Sequence, residues 1–328
     1  MAMALSPTKL AYFDDMWTVE STAVLLSCFQ VGDGRQAVIL DATIFHPQGG
    51  GQPADTGFIT NPSSDFKFMV EDVRLKDGLV FHYGFFNDVQ EGWKSKLKEG
   101  QEVSLYVNAE RRDLNSRLHS AGHLLDICKC NLGLSHLEPG KGYHFPDGLP
   151  PFTMLLSDHV TPDKSVMVQC DVTISSVSIF FQYICTAPQD RPFVEYKGII
   201  PQDQLQTKQR ELEIEANALI SSGGKVKASI LPYEEASKWC GGDLPSYISK
   251  SSTPRIVKFG DHPGCPCGGT HVADIANIRS LKLQPLKACS HLAVVNDATK
   301  QQRHQHHNLH HLAICTSLHL HHLLKQGS

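Results

Sequence analysis

Between Thr22 and Val107 apolar positions come in short runs broken by glycine and aspartate, as in AVILDATIF, FKFMVEDVRL, LVFHYGFF and EVSLYV. Short apolar runs bounded by turn residues predict strands, so this stretch reads as a small β domain. Asp77-Gly78 lies between two such runs in RLKDGLVFHY, and that pair has the chemistry of a tight hairpin turn. The period then changes. In ERRDLNSRLHSAGHLLDICK the apolar residues Leu114, Leu118, Ala121 and Leu125 recur at helical spacing, which predicts a helix with one buried stripe. A second helix is expected from about Asp203 to Ser221, with Leu205, Leu212, Ala216 and Leu219 on one face. Pro201 before it and Gly223-Gly224 after it match start and stop chemistry. FVEYKGII and PRIVKFG have strand character and flank the helical material, so the second unit reads as α+β.

Two stretches do not fit this plan. From Gly148 to Pro192 the chain is serine- and valine-rich, with no clear helix and no obvious partner. Beyond about Lys287 the composition shifts to a glutamine- and histidine-rich tail, QQRHQHHNLHHLAICTSLHLHHLLKQGS, which reads as compositional bias rather than a packed element.

A chain of 328 residues is long enough for two modest cores, and two domains are expected. The net charge is −4, from 30 Lys+Arg against 34 Asp+Glu, so no chain-wide positive field draws in nucleic acid and RNA binding must use a local patch. The opening residues carry Asp14 and Asp15 and no long apolar segment, and no apolar run approaches the roughly 18 residues that span a bilayer. The ten cysteines are therefore expected as reduced thiols in the cytoplasm.

The chemistry concentrates in two separated motifs, His119-Ser-Ala-Gly-His123 and Cys267-Gly-Gly-Thr-His271. Residues four apart on a helix share a face, so two imidazoles there can reach one ion. The second motif adds a soft thiolate and a third imidazole across a glycine pair that permits a sharp turn. The combined set, His119, His123, Cys267 and His271, suits zinc, Zn2+. A metalloprotease HExxH needs glutamate after the first histidine, and Ser120 stands there. Cys265 and His262 lie close enough in sequence to replace an assigned ligand. Asn115 and Asp126 share the helical face of the two histidines, either as groups that orient them or as a solvated polar face.

HSAGHLL, CGGTHV and the upstream FHPQGGGQPADTG together resemble the editing domain of alanyl-tRNA synthetase, and more closely its stand-alone AlaX-type form. The resemblance covers roughly Leu10 to Gly148 and Pro192 to Ile278. It implies an α+β fold, with an N-terminal β-barrel domain (1–97), a catalytic editing domain (98–287) carrying an atypical insertion (149–191), and an atypical His-rich tail (288–328). It also implies zinc on His119, His123, Cys267 and His271, and trans-editing hydrolysis of mischarged seryl-tRNA(Ala), with glycyl-tRNA(Ala) as an alternative substrate. The partner is then the tRNA(Ala) acceptor end carrying a wrong amino acid. No aminoacylation core is expected at this length, so the chain should edit without charging.

Gly49-Gly50-Gly51-Gln52 has its own reading. Three glycines permit close approach of a ligand to backbone N–H groups, and Gln52 both donates and accepts hydrogen bonds. The loop suits the terminal adenosine or the amino-acid moiety, or is a turn between strands. The resemblance points to Gln52 and Thr43 as catalytic neighbours of the substrate, and leaves His46, often tyrosine in relatives, without a role. Zinc is expected either to act on the ester or its attacking water, or to shape the pocket, since four protein ligands would close a tetrahedral site. Two other functions fit the motifs: a non-catalytic tRNA-binding zinc module and a zinc hydrolase of a small ester or amide. The two foreign-looking stretches are what read-through of non-coding sequence would produce.

Overall fold

The computed structural model describes residues 5–61, 64–87, 98–147, 165–171, 192–284 and 287–289. In chain order the N-terminal part forms β1 (Lys9–Leu10), β2 (Glu20–Gln30), β3 (Gln36–Leu40), β4 (Ala42–Thr43), β5 (Gly57–Asn61), β6 (Ser64–Lys76), β7 (Leu79–Phe86) and β8 (Glu102–Val107). Six of these close a barrel in the order β2-β3-β7-β6-β5-β8, while β1 and β4 form a short parallel pair. Alternation explains its interior: Val103, Leu105 and Val107 of β8 point inward at every second position and pack with Leu25, Leu40, Ile59 and Phe68. The expected hairpin is present. Lys76 pairs with Leu79 across Asp77 and Gly78, whose φ values of 51° and 79° are those of a two-residue primed turn.

The barrel extends past the boundary expected at residue 97. Strand β8 pairs with both β2 and β5, so residues to Val107 are needed to close the cylinder.

Helix α1 (Ala109–Asn131) follows at once, with the Asn108 side chain accepting from Arg111 N–H as its N-cap. The single buried stripe read from the sequence needs correction. Leu118, Ala121, Leu124, Leu125 and Cys128 are buried, yet so are Arg112, Asn115, Ser116, His119 and Ser120, while Leu114 is only half-buried. The helix is enclosed on its polar side too, because Arg112 reaches the barrel. Its guanidinium pairs with Asp55 and donates to the carbonyl oxygens of Met16 at 2.8 Å and Ile44 at 2.6 Å.

The second unit contains β9 (Glu138–Tyr143), β10 (Ser165–Asp171), β11 (Phe193–Lys197), α2 (Leu205–Ser222), β12 (Val226–Ile230), α3 (Tyr233–Cys240), β13 (Arg255–Phe259), β14 (Cys265–Pro266), β15 (Lys282–Leu283) and β16 (Lys287–Cys289). One sheet runs β15-β10-β11-β9 with β16 also on β10, and another runs β12-β13-β14. Helix α2 buries Leu205, Leu212 and Ala216 as expected. Ile220, four residues on, takes the fully buried place assigned to Leu219, which is partly buried against the same core. The architecture is α+β with an N-terminal barrel, as the sequence implied.

The segment read as having no partner has one. Residues 165–171 form β10, antiparallel to β11 with Ser165 opposite Lys197. Its alternating pattern is that of a strand, but its partners lie in distant parts of the chain, so no local hairpin signal marked it. The remainder of 149–191, including VSIFFQYIC, lies outside the described residues, as does the tail past 289. Among the described residues no helix is long and apolar enough to cross a membrane, and Cys28, Cys128, Cys130, Cys240, Cys265 and Cys267 are free thiols.

Candidate metal centre

Helical geometry places Ser116, His119, Ser120 and His123 of α1 on one face, and that face meets the loop after β14. Ser116 Oγ lies 2.8 Å from Thr270 Oγ1, and Ser120 Oγ accepts from Val272 N–H at 3.1 Å. These contacts bring the two motifs together. The ligand atoms of His119, His123, Cys267 and His271 all lie within 4.8 Å of one another. Cys267 Sγ is 3.5 Å from His119 Nε2 and 3.3 Å from His271 Nε2. A tetrahedral zinc with Zn–S of about 2.3 Å and Zn–N of about 2.1 Å separates its sulfur and nitrogen ligands by roughly 3.5 Å. The donor set and its spacing fit that ion.

Each imidazole is held from behind. Thr270 N–H donates to Gln52 Oε1 at 3.0 Å, which fixes the orientation of that amide, so His119 donates its Nδ1–H to the same oxygen at 2.8 Å. His271 Nδ1 lies 3.4 Å from Ser120 Oγ, and His123 Nδ1 lies 3.2 Å from Cys265 Sγ. The Nε2 of His119 and of His271 therefore faces inward. His123 Nε2 is buried with no hydrogen-bond partner among the described residues, which is where a metal would satisfy it.

Burial pushes His119 and His271 well below the usual histidine range, and neighbouring histidines push the same way. Burial would lower His123 too, but the Cys265 and Cys267 sulfurs outweigh it and raise that group. For Cys267 burial favours the thiol, and the opposing charge of His123, the Gly269 N–H and Arg255 turn the balance toward thiolate. Thiolate is the form that binds a metal.

Arg255 on β13 shapes the ligand loop by donating to the carbonyl oxygens of Cys267 at 2.7 Å and Gly269 at 2.9 Å. The two loop glycines differ. A Cβ on Gly269 would lie 2.2 Å from His119 Cε1, whereas one on Gly268 would meet only Phe13 at 3.8 Å. Gly269→Ala is expected to lose about 1–3 kcal/mol of stability through overpacking, and Gly268→Ala less than about 0.5 kcal/mol. Urea denaturation of the two variants checks the contrast.

The other residues singled out from the sequence are placed as follows. Gln52 is fully buried and uses its amide on His119, Thr270 N–H and Thr270 Oγ1. Gly49 to Gln52 is a turn closed by reciprocal backbone bonds of 3.1 and 3.0 Å, with Gly50 and Gly51 at φ 57° and 82°. Gly51 packs against strand β9, where a Cβ would meet the Gly142 carbonyl oxygen at 2.4 Å. Thr43 is buried in the barrel, its hydroxyl bonded to His82 Nε2 at 2.8 Å and to Phe45 N–H at 3.0 Å. Among the described residues no hydrogen bond ties it to His119, His123, Cys267 or His271. Asp126 accepts from Tyr196 OH at 2.8 Å rather than from a histidine. Asn115 is fully buried with neither amide atom partnered among the described residues, so no hydrogen bond from it to either histidine is seen there.

Sequence reasoning missed His144, as it did Arg255 and the contact of Ser120 with His271. The ring of His144 stacks on His119 at 4.8 Å, and room for it is made by Gly122, where a Cβ would come within 2.6 Å. Burial and the charge of His123 lower its pKa to about 3, so it is a neutral neighbour of the centre. Its position at the end of β9, between two aromatic residues, carries no periodic signal.

His82 supplies a pH dependence away from the centre. Burial lowers its pKa to about 4, against 6.5 in the unfolded chain. The unfolded state therefore takes up the proton first as pH falls. Stability is expected to decline from about pH 6.5 toward pH 4, and His82→Gln is expected to flatten this slope in denaturation measured across that range.

Similarity to known proteins falls on these same elements. A family model described as tRNA synthetases class II (A) matches residues 24–111, the barrel and the start of α1. A second, described as the threonyl and alanyl tRNA synthetase second additional domain, matches residues 255–303 and includes the Cys267–His271 loop. The chain is 27% identical over 273 residues to the alanyl-tRNA editing protein AlaX-L of Pyrococcus horikoshii, covering 83% of this chain and 53% of that protein. It is 28% identical over 284 residues to the alanine–tRNA ligase of Halobacterium salinarum, covering 85% of this chain and 24% of the ligase. The corresponding ligase of Methanoregula boonei is 30% identical over 204 residues, 60% of this chain and 20% of the ligase. The chain thus spans about half the length of the editing protein and about a quarter of the ligases. With the matched segments supplying the barrel and the Cys267–His271 loop, the similarity fits an AlaX-type alanyl-tRNA editing protein.

Proposed function

We propose that this chain is a zinc-dependent trans-editing hydrolase of the cytoplasm that removes serine from mischarged tRNA(Ala), with glycyl-tRNA(Ala) as a second substrate. The observation that carries the reading is the convergence of His119, His123, Cys267 and His271 on one point in a family whose relatives edit alanyl-tRNA. The bond to be cut is the ester between an amino acid and a terminal ribose hydroxyl. Zinc bound there supplies a Lewis acid beside that ester or a fixed charge that shapes its pocket. The protein's own residues do the positioning. Gln52 and Ser120 hold His119 and His271 by their Nδ1 sides, Arg255 fixes the ligand loop, and His144 stays neutral against His119.

Selectivity for serine over alanine requires a buried polar partner for the seryl hydroxyl, which the smaller residue would leave unpaired. Purified full-length protein is expected to hydrolyse seryl-tRNA(Ala) at least about a hundredfold faster than alanyl-tRNA(Ala), measured by release of labelled amino acid. Comparable rates on the two would defeat the selectivity. Tight tRNA binding without turnover would instead favour a non-catalytic module, and equal turnover of a free seryl ester would favour a small-ester hydrolase.

A further inference from the structure

His123 shows the centre one ring nitrogen and the surrounding protein the other. Its Nε2 is buried without a hydrogen-bond partner among the described residues, and its Nδ1 lies 3.2 Å from Cys265 Sγ. The same sulfur lies 3.8 Å from the Val257 carbonyl oxygen. A carbonyl has no proton to give, so the Cys265 thiol donates its hydrogen toward Val257. The sulfur lone pairs are left to accept from His123 Nδ1–H. Backbone pairing keeps Cys265 in place: β14 sets Cys265 opposite Val257 and Pro266 opposite Ile256 on β13. Alternate residues of an extended segment share a side. The two sulfurs of Cys-Pro-Cys accordingly face α1 together, Cys267 in the four-residue group and Cys265 behind His123.

We propose that Cys265 is a positioning residue that holds His123 in its Nδ1–H tautomer and so selects Nε2 as the metal ligand. It completes a set in which His119 leans on Gln52 Oε1 and His271 lies beside Ser120 Oγ. Sulfur takes the third place, where a metal-binding histidine more commonly leans on a carboxylate or carbonyl oxygen. This assignment rests on the reading of the four residues as a zinc centre.

The test uses the full-length protein loaded with cobalt(II), whose thiolate charge-transfer absorption reports sulfur ligation, in a Cys315→Ser background so that the histidine-rich tail past 289 offers no thiolate. Wild type and Cys265→Ala are each expected to show a one-thiolate band, and Cys267→Ala none. Titrating a chelator against that band is expected to show cobalt held about 10–100-fold more weakly in Cys265→Ala. Cys265→Ser should recover most of the loss, because a hydroxyl can accept from Nδ1–H and donate to Val257 in the same way. Nitrogen-15 NMR of the wild-type zinc protein is expected to show His123 as the Nδ1–H tautomer, a readout that does not depend on any variant folding. Unchanged affinity in Cys265→Ala, a band that halves in that variant because Cys265 is itself a ligand, or an Nε2–H tautomer would each overturn the proposal. A wild-type protein with no thiolate band at all would instead overturn the zinc centre on which it stands.

Discussion

Cys267→Ala is expected to reduce seryl-tRNA(Ala) deacylation by at least about a hundredfold while the barrel stays folded. Cys267 is the only sulfur in the four-residue group, and the balance of charges around it favours thiolate. Its loss leaves three imidazoles, removes the single anionic ligand, and deprives Gly269 N–H of the acceptor it meets at 3.4 Å. Loss of a supporting contact to a metal ligand typically costs about 10–100-fold in metal affinity or activity, and loss of the ligand itself should cost more. Gln52→Ala, which takes away only the acceptor for His119 Nδ1, should therefore fall between wild type and Cys267→Ala. Single-turnover deacylation of the three proteins, with far-ultraviolet circular dichroism as the folding control, reads this gradient. Wild-type turnover by Cys267→Ala would show that the reaction runs without the centre.

The second large effect concerns stability. Asp55→Ala is expected to destabilise the protein by about 3–5 kcal/mol, because it leaves a buried guanidinium without its counter-charge. Asp55 is fully buried and the Arg112 side chain is 4% exposed. Water cannot take the place of the lost carboxylate. Asp55 also accepts from His46 N–H at 2.6 Å, so the variant loses a backbone contact in the barrel as well. The loss is a large share of the roughly 5–15 kcal/mol that holds a typical domain together. It acts at the point where α1 joins the barrel, two turns before His119. Urea denaturation should show a clear fall in midpoint, and a loss under about 1 kcal/mol would mean that the pair is solvated. This effect and that of Cys267→Ala are separable, since the first moves the unfolding midpoint and the second moves the rate.

Much of this protein is local and was legible in the chain. The turn at Asp77-Gly78 follows from two residues that tolerate positive φ. The strands of the barrel follow from alternation, and α2 from its period and the glycines that stop it. His119 and His123 share a face because four residues make about one helical turn. The make-up of the group that could hold a metal was likewise visible, since thiolate and imidazole at those spacings suit zinc.

Tertiary structure decided the rest, and the reason is sequence distance. Cys267 meets His119 across 148 residues and Gln52 meets His119 across 67, and no periodicity encodes a partner so far away. Gln52 was expected beside the substrate, and only the packed structure shows its amide bonded to His119 and Thr270. Thr43 was likewise expected near the substrate, and only the packed structure shows its hydroxyl bonded to His82 inside the barrel. The strand at 165–171 had the alternation of a strand but no visible neighbour, because its partners come from segments more than 20 and more than 100 residues further along the chain. Arg112, polar and one turn into a helix, gave no sign in the sequence of being buried; only the approach of Asp55 makes that burial tolerable. Local pattern sets which elements form and which chemistry they carry, whereas the pairing of buried polar groups is fixed only when the two units pack and water is excluded between them.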